Sequence, residues 1–316
     1  MKRILVFGSF NYDMIARVED FPKPGQTILG LSFTAGPGCK GSNQAIAAHR
    51  AGADVSFATK VGMDSFGDSA FDTFSKEGID TSCIIRDNHF PTSSAFITVH
   101  SGSGQNMIVV NRGACSNIST QDISGISDKI RDSDILLTQL ETNLSAVEEV
   151  ILTAKKHGAL VILNPAPAAQ ISENVYINTD IITPNETEAE TLTGISIPDI
   201  SDMEEAARLL ISRGAKTVIL TLGSKGAFVS NGSSSYLVPA FPAKAIDTTG
   251  AGDVFNGAFA AAMSQGFQLL DAVSFACAAG AISVTRNGAA LSAPRKDEVD
   301  SLISTTSVRS GQGNVL

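Results

Sequence analysis

Short apolar runs alternate with longer amphipathic stretches along most of this chain. "RILVFGS" (3–9) is a compact apolar run closed by Gly and Ser, the pattern of a buried first strand. Over 13–33 the rhythm changes. Alternating pieces, "DMIARV" and "TILGLSF", flank "FPKPG" and predict a small β excursion outside any central sheet. A helix is predicted over 42–51, a strand at "VSFATKV" and a helix over 65–76. Alternation returns over 93–111, where "SSAFITVH" and "QNMIVVN" flank a polar "SGSG" turn, as in a hairpin.

After Ser119 the pattern settles into strand–helix repeats. Strands are predicted at "DILLTQL", "LVILN", "DIITP" and "TVILTLG", with helices over 145–157, 186–193 and 203–213. Two short strands, "GAFVS" and "SYLVP", precede two apolar helices over 251–265 and 269–284. This alternation predicts an α/β fold with a central, mainly parallel sheet flanked by helices, binding ligands at the carboxyl ends of its strands. The two N-terminal excursions lack amphipathic helices to cover them and predict a small β-sheet lid. The polar, Gly-containing end, "TTSVRSGQGNVL", predicts a fraying tail.

Composition narrows the function classes. The 316 residues are 43% hydrophobic and 17% charged, as in ordinary soluble domains. A net charge of −9 argues against nucleic acid or an anionic membrane as partner. It leaves a phosphorylated ligand open, because phosphate sites are built locally. Cys39, Cys83, Cys115 and Cys277 form no CxxC pair, and the four histidines are equally scattered, so free thiols in a reducing cytosol are expected. "MKRILVFGSF" is too short an apolar run for a signal peptide, and no run reaches ~18 apolar residues. The expected location is cytoplasmic.

Two glycine-rich segments carry the chemistry. "GPGCKG" (36–41) fits GxGxxG, but a dinucleotide fingerprint should follow the first strand, which ends near Gly8. "CKGS" lacks the GxxxxGK[ST] order of a P-loop. What remains in "GCKGSNQA" is a turn entering a helix. Either Lys40 and Asn43 are donors for a ligand there, or Ser42 or Asn43 simply caps the helix. In "DTTGAGDVFNGA" (247–258), Gly250, Ala251 and Gly252 precede Asp253 at a helix start. Bare amides at a helix N-terminus make an anion hole. A carboxylate beside it is tolerable if it faces a neutral hydroxyl. A plain Asp cap explains Asp253 but not the bare residues before it.

Together these segments resemble the N- and C-terminal signatures of the ribokinase-like (PfkB) carbohydrate kinases. "GSFNYD", "LLTQLET", "NPAPA", "DIITPNETEAETLTG", "TLGSKG" and "AISVTRNGAALSAP" extend the likeness, in order, from residue 3 to about 303. The resemblance implies one kinase domain over 1–303, with a lid formed by about 13–33 and 93–111, and a polar tail over 304–316. It implies ATP-dependent transfer of the γ-phosphoryl group to the primary hydroxyl of a small furanose. Ribose leads, with deoxyribose, a ketose, a sugar acid or a nucleoside as alternatives. A non-catalytic sugar- or nucleotide-binding regulator is disfavoured by the intact GAG and Asp.

By the same resemblance, Asp253 is the catalytic base and Gly250, Ala251 and Gly252 the anion hole. Asn11, Asp13, Cys39, Lys40, Gly41, Asn43 and Glu141 line the sugar pocket. Asn185, Thr221, Gly223, Gly226 and Cys277 lie near ATP, and Glu188 holds Mg2+ through water. Asp247, Thr249 and Ser292, with backbone around Ser283, Arg286 and Gly288, enclose a monovalent cation, K+. An exposed lid edge implies a homodimer through the lid. Three positions depart from the family pattern. Cys39 stands for the second Gly of the usual GGKGAN, Ser42 for an Ala, and Cys277 for a polar or imidazole side chain near the adenine. Cys39 puts a side chain where backbone would otherwise meet a sugar hydroxyl.

Overall fold

In strand β1 (Arg3–Phe7), Ile4 and Val6 point into one hydrophobic core while Leu5 and Phe7 point into another. A strand apolar on both faces belongs inside a sheet covered on both sides. The computed structural model describes residues 2–306 and the backbone of 314–315.

The chain continues through β2 (Asn11–Val18), β3 (Ser32–Gly38), α1 (Lys40–Arg50), β4 (Asp54–Gly62), α2 (Ser65–Glu77), β5 (Ile84–Asp87), β6 (Ser94–His100) and β7 (Asn106–Asn111). Short helices α3 (Thr120–Gly125) and α4 (Ser127–Asp132) lead to β8 (Ile135–Thr138), α5 (Leu144–Lys156), β9 (Leu160–Leu163), α6 (Glu173–Ile177) and β10 (Ile181–Ile182). Then come α7 (Glu186–Thr193), α8 (Ile200–Ser212), β11 (Thr217–Thr221), β12 (Ala227–Ser230), β13 (Ser235–Val238), α9 (Ala251–Ser264), α10 (Leu269–Ser283), α11 (Lys296–Thr305) and β14 (Asn314–Val315).

The large sheet runs β14-β13-β12-β11-β10-β9-β8-β1-β4-β5. It is parallel from β11 to β5 and antiparallel from β11 to β14. One core packs it against α1, α9, α10 and α11; the other packs its opposite face against the helices between Thr120 and Ser212. The α1–α9 crossing is unusually close. A Cβ on Gly257 would meet Gln44 O at 2.5 Å and Ala48 N at 2.8 Å, so only glycine permits it.

A separate four-stranded sheet, β3-β2-β6-β7, is the small sheet expected from the two excursions. One strand is displaced from its predicted place. "TILGLSF" is not a strand over 27–33; β3 begins at Ser32 and runs through the glycines to Gly38, pairing Arg17 with Ser32 and Asn11 with Gly38. Leu29, Leu31 and Phe33 are solvent-exposed, so their apolar character does not report a core-facing strand. Residues 36–38 are therefore strand, and only Cys39 separates it from α1. The short α6 and the charged α11 escape the hydrophobic pattern, as does β5. Most of the expected fraying tail lies outside the described residues. Among the described residues, no helix is long and apolar enough to cross a membrane.

Candidate active site at the carboxyl ends of the central strands

Asp253 decides the question its motif raises. It lies in the first turn of α9, yet it does not cap its own helix. Its Oδ2 accepts from Asn43 Nδ2 at 2.9 Å and its Oδ1 from Gln44 Nε2 at 3.0 Å, both on α1. The N-cap is Gly250, in the left-handed region at φ 73, and no side chain caps the helix. A Cβ on Gly250 would meet Ala289 Cα at 2.8 Å, while one on Gly252 would meet nothing within 4 Å. The helix mouth is thus open in front and backed by the 288–292 loop. Such an end offers amides and a positive dipole to an anion.

Burial raises the Asp253 carboxyl above its ordinary range, against Lys40 and the Asn43 and Gln44 hydrogen bonds, which favour the anion; Glu141 adds to the rise. For Lys40, burial works against the ammonium, but Asp253, Glu141 and Glu188 together hold it above its usual value. These mutual influences gather Lys40, Glu141, Glu188 and Asp253 into one electrostatic cluster.

Glu141, just past β8, accepts from Ser9 Oγ at 2.6 Å and from Lys40 N at 2.9 Å. It therefore ties the end of β1 to the start of α1. Gly41 makes this junction possible: a Cβ there would lie 2.5 Å from Ser9 N. Asn11 and Asp13 come from β2 of the lid. Burial, then the Glu141 charge, raises Asp13 to about 6. Its carboxyl lies across the strand against Gly38, where any Cβ would fall inside it. Asn43 is almost fully buried, and its Oδ1 has no partner among the described residues. An unsatisfied buried acceptor is costly unless a ligand donor reaches it.

Cys39 has φ 75 and ψ 156, the one non-glycine residue at positive φ among the described residues. The glycine that the resemblance leads one to expect is thus absent at a position whose positive φ favours it. Burial, then Glu141, pushes the Cys39 thiol well up, so it stays neutral. Ser42 Oγ donates to Gly38 O and, at 3.0 Å, to Cys39 O, bracing this strained joint.

The residues assigned to ATP stand further along the sheet edge. Asn185 and Glu188 form a reciprocal capping box at the start of α7, Glu188 N to Asn185 Oδ1 at 2.7 Å and Asn185 N to Glu188 Oε2 at 2.9 Å. Thr221 bridges to Asn185. Gly223 and Gly226 have φ 55 and 105, and Gly226 also lets the Val238 carbonyl approach. Cys277, on α10, is buried in apolar surroundings that push its thiol up to about 12.

Behind the helix mouth, Asp247 accepts from Thr249 N and Gly288 N, each at 2.9 Å. This joins the 247–250 and 283–292 segments. Arg286 turns its guanidinium onto Glu298, leaving only its backbone to face the loop. Ser283 and Ser292 are buried, their hydroxyls donating to Gly280 O and Ala289 O. Arg50, at the end of α1, donates to the carbonyls of Ala290, Leu291 and Ala293 and holds this loop against α1.

Ser9, Gly38 and Gln44 also belong to the site; each lies inside a quoted motif, "GSFNYD", "GPGCKG" and "GCKGSNQA", but none is singled out by the sequence as a site residue. The hint for Gln44 is a polar residue directly before the apolar run "AIAA".

The description "pfkB family carbohydrate kinase" fits residues 1–296. A ribokinase of Haemophilus influenzae is 44% identical over 297 residues, covering 94% of this chain and 97% of that one. A deoxyribokinase of Salmonella typhi is 35% identical over 302 residues, covering 95% and 98%. The ribokinase of Arabidopsis thaliana, solved complexed with ribose and ATP, superposes with a TM-score of 0.90 at 30% identity, covering 96% and 99%. A buried carboxylate facing an open helix mouth is therefore found in a chain that belongs to the pfkB family of carbohydrate kinases.

Proposed function

We propose that this enzyme transfers the γ-phosphoryl group of ATP to the primary hydroxyl of D-ribose. The observation that carries the reading is Asp253 in the first turn of an uncapped helix, its carboxylate turned onto α1 rather than back onto its own helix amides. Phosphoryl transfer passes through a loose transition state, so positioning and charge neutralisation dominate. Asp253 orients the acceptor hydroxyl and takes its proton late. Of the three expected anion-hole amides, those of Gly250 and Gly252 face the transferring group, whereas Ala251 N already donates to Thr248 O at 3.2 Å. Asp13 accepts from sugar hydroxyls, Asn11 and Asn43 donate and accept, and the Lys40 ammonium donates. Glu141 orients Lys40 and Ser9, and Gly41 keeps the pocket floor as backbone. Cys39 brings a neutral thiol to the same wall. Asn185, Thr221, Gly223 and Gly226 cradle the nucleotide, with Cys277 apolar near the base.

Glu188 fits a magnesium role through water: its Oε1 carries no hydrogen bond among the described residues, and hard cations prefer such oxygens. Magnesium, when bound, neutralises phosphate charge. The Asp247 loop offers oxygen donors, as a potassium ion requires: the Asp247 carboxylate and backbone at Thr249, Ser283, Arg286, Gly288 and Ser292. We take residues 1–303 as the catalytic unit. The lid exposes Phe33, Phe96, Met107, Ile108, Val109 and Val110, which supports pairing of two lids in a homodimer. A cytoplasmic enzyme acting on small molecules alone is consistent with the acidic net charge.

The test is a coupled ADP-release screen over ribose, deoxyribose, fructose, tagatose and simple nucleosides. Ribose should be the best acceptor. A better rate with another sugar overturns the substrate and leaves the kinase assignment standing.

A further inference from the structure

Gln44 lies beneath Asp253, fully buried and out of reach of the cleft. Its Nε2 donates to Asp253 Oδ1 and to Asn164 Oδ1, each at 3.0 Å, and its Oε1 accepts from Gln139 Nε2 at 2.7 Å. Both amide protons are used, so its orientation is not free to flip. The array continues from Asn164 Nδ2 to Thr183 O at 3.0 Å, from Thr183 Oγ1 to Asn256 Oδ1 at 2.5 Å, and from Asn256 Nδ2 to Gly252 O at 2.8 Å. It starts on the Asp253 carboxylate and ends on the neighbouring Gly252 carbonyl, having crossed the ends of β8, β9 and β10. The bare Gly257 lets α1 approach α9 closely enough for the first link.

Helix packing does not require a glutamine here. The neighbours Ala45, Ala47 and Ala48 are small and apolar, and an apolar side chain would fill the space without burying an amide. Every polar atom of the Gln44 amide is satisfied, which fixes its geometry, while Gln139 Oε1 at the edge of the array has no partner among the described residues. We propose that Gln44 is a positioning residue for phosphoryl transfer, holding the Asp253 carboxylate from below so that its remaining acceptor face meets the sugar hydroxyl. This rests on the sugar-kinase reading above. The charged groups facing Asp253 are Lys40 on α1, Glu141 after β8 and Glu188 on α7; Gln44 is its uncharged support on the core side.

The experiment compares wild type, Gln44→Leu and Gln44→Glu, as full chains with ribose and magnesium-ATP. Gln44→Leu should lower kcat by up to about 100-fold, the scale of a misplaced reacting group, with ribose and ATP KM unchanged. Gln44→Glu separates positioning from mere packing. While protonated, the introduced carboxyl has one proton where the amide has two, enough to donate to Asp253 while Asn164 Oδ1 loses its donor; once ionised, it repels Asp253. At saturating ribose, the kcat of this variant relative to wild type should therefore be highest at low pH and fall as pH rises, and this profile decides the matter if Gln44→Leu does not fold. A wild-type kcat in Gln44→Leu, or a wild-type pH profile in Gln44→Glu, overturns the inference while leaving the kinase reading intact. A wild-type enzyme inactive on every sugar overturns both.

Discussion

Asn43 and Asp253 are 210 positions apart in the chain, yet the amide of one donates to the carboxylate of the other at 2.9 Å. This bond joins the N-terminal signature helix to the C-terminal one and leaves Asn43 Oδ1 unpartnered among the described residues. Two segments that each read as an ordinary helix start become, in contact, a pocket with a base on one side and an open helix mouth on the other.

Replacing Asp253 by Asn keeps the shape and removes the proton acceptor. Turnover should fall by about 10²–10⁴-fold, the usual worth of a general base. Ribose binding, read by calorimetry, should persist. Near-normal turnover would contradict the role.

Gly38→Ala should act on the sugar alone. Its Cβ would occupy the place of the Asp13 carboxyl, and Asp13 must swing away. Hydrogen bonds to a charged group are worth about 1.5–3 kcal/mol, so ribose KM should rise about 10- to 100-fold. ATP KM should stay fixed, and Asp13→Ala should show the same split. Equal rises in both constants would count against the placement.

Ribose affinity should also depend on Asp13 protonation. Its carboxyl, raised to about 6 chiefly by burial, is charged above that pH and neutral below it. The charged form accepts at both oxygens with charge-assisted bonds, whereas the neutral form carries a proton on one of them and accepts more weakly. At pH 5 about a tenth remains charged, so ribose KM should be about tenfold higher than at pH 7. The fold responds with the opposite sign. Because the folded-state value lies above the ordinary 3.8, the charged form weakens the fold above about pH 6, and that cost disappears as pH falls toward 4. Asp13→Asn should flatten the KM profile over this range.

Cys39→Gly relieves a positive-φ backbone that cysteine adopts poorly. The variant should gain about 1 kcal/mol in urea unfolding, with unchanged m-value. No gain would mean that the Ser42 bonds, or the thiol's packing, offset the strain.

Much of the fold is legible in the residues alone. The strands of the parallel sheet are apolar on both faces, so their runs are short and unambiguous, and Asn185 reads as a cap because it is one. The strand expected over 27–33 is misplaced because the lid carries apolar residues on its outer surface, where pattern no longer reports a core. Gln44 and Ser9 escape for a different reason. Their partners Asp253, Asn164 and Glu141 lie more than a hundred positions away, and no local spacing encodes such a contact. The strain at Cys39 is equally hidden: the substitution is visible, but not the φ that makes it consequential.

Potassium gives an independent check on the Asp247 loop. Activity in potassium should exceed that in sodium or lithium, and Asp247→Ala should abolish the difference. Equal rates in all three ions would remove the cation from the account.

The most direct measurement is phosphorus–proton NMR of the product formed from ATP and D-ribose. The expected product is a phosphomonoester coupled to the two C5 protons, formed in step with ADP. A phosphate on another carbon, or ADP accompanied only by free phosphate, would contradict it.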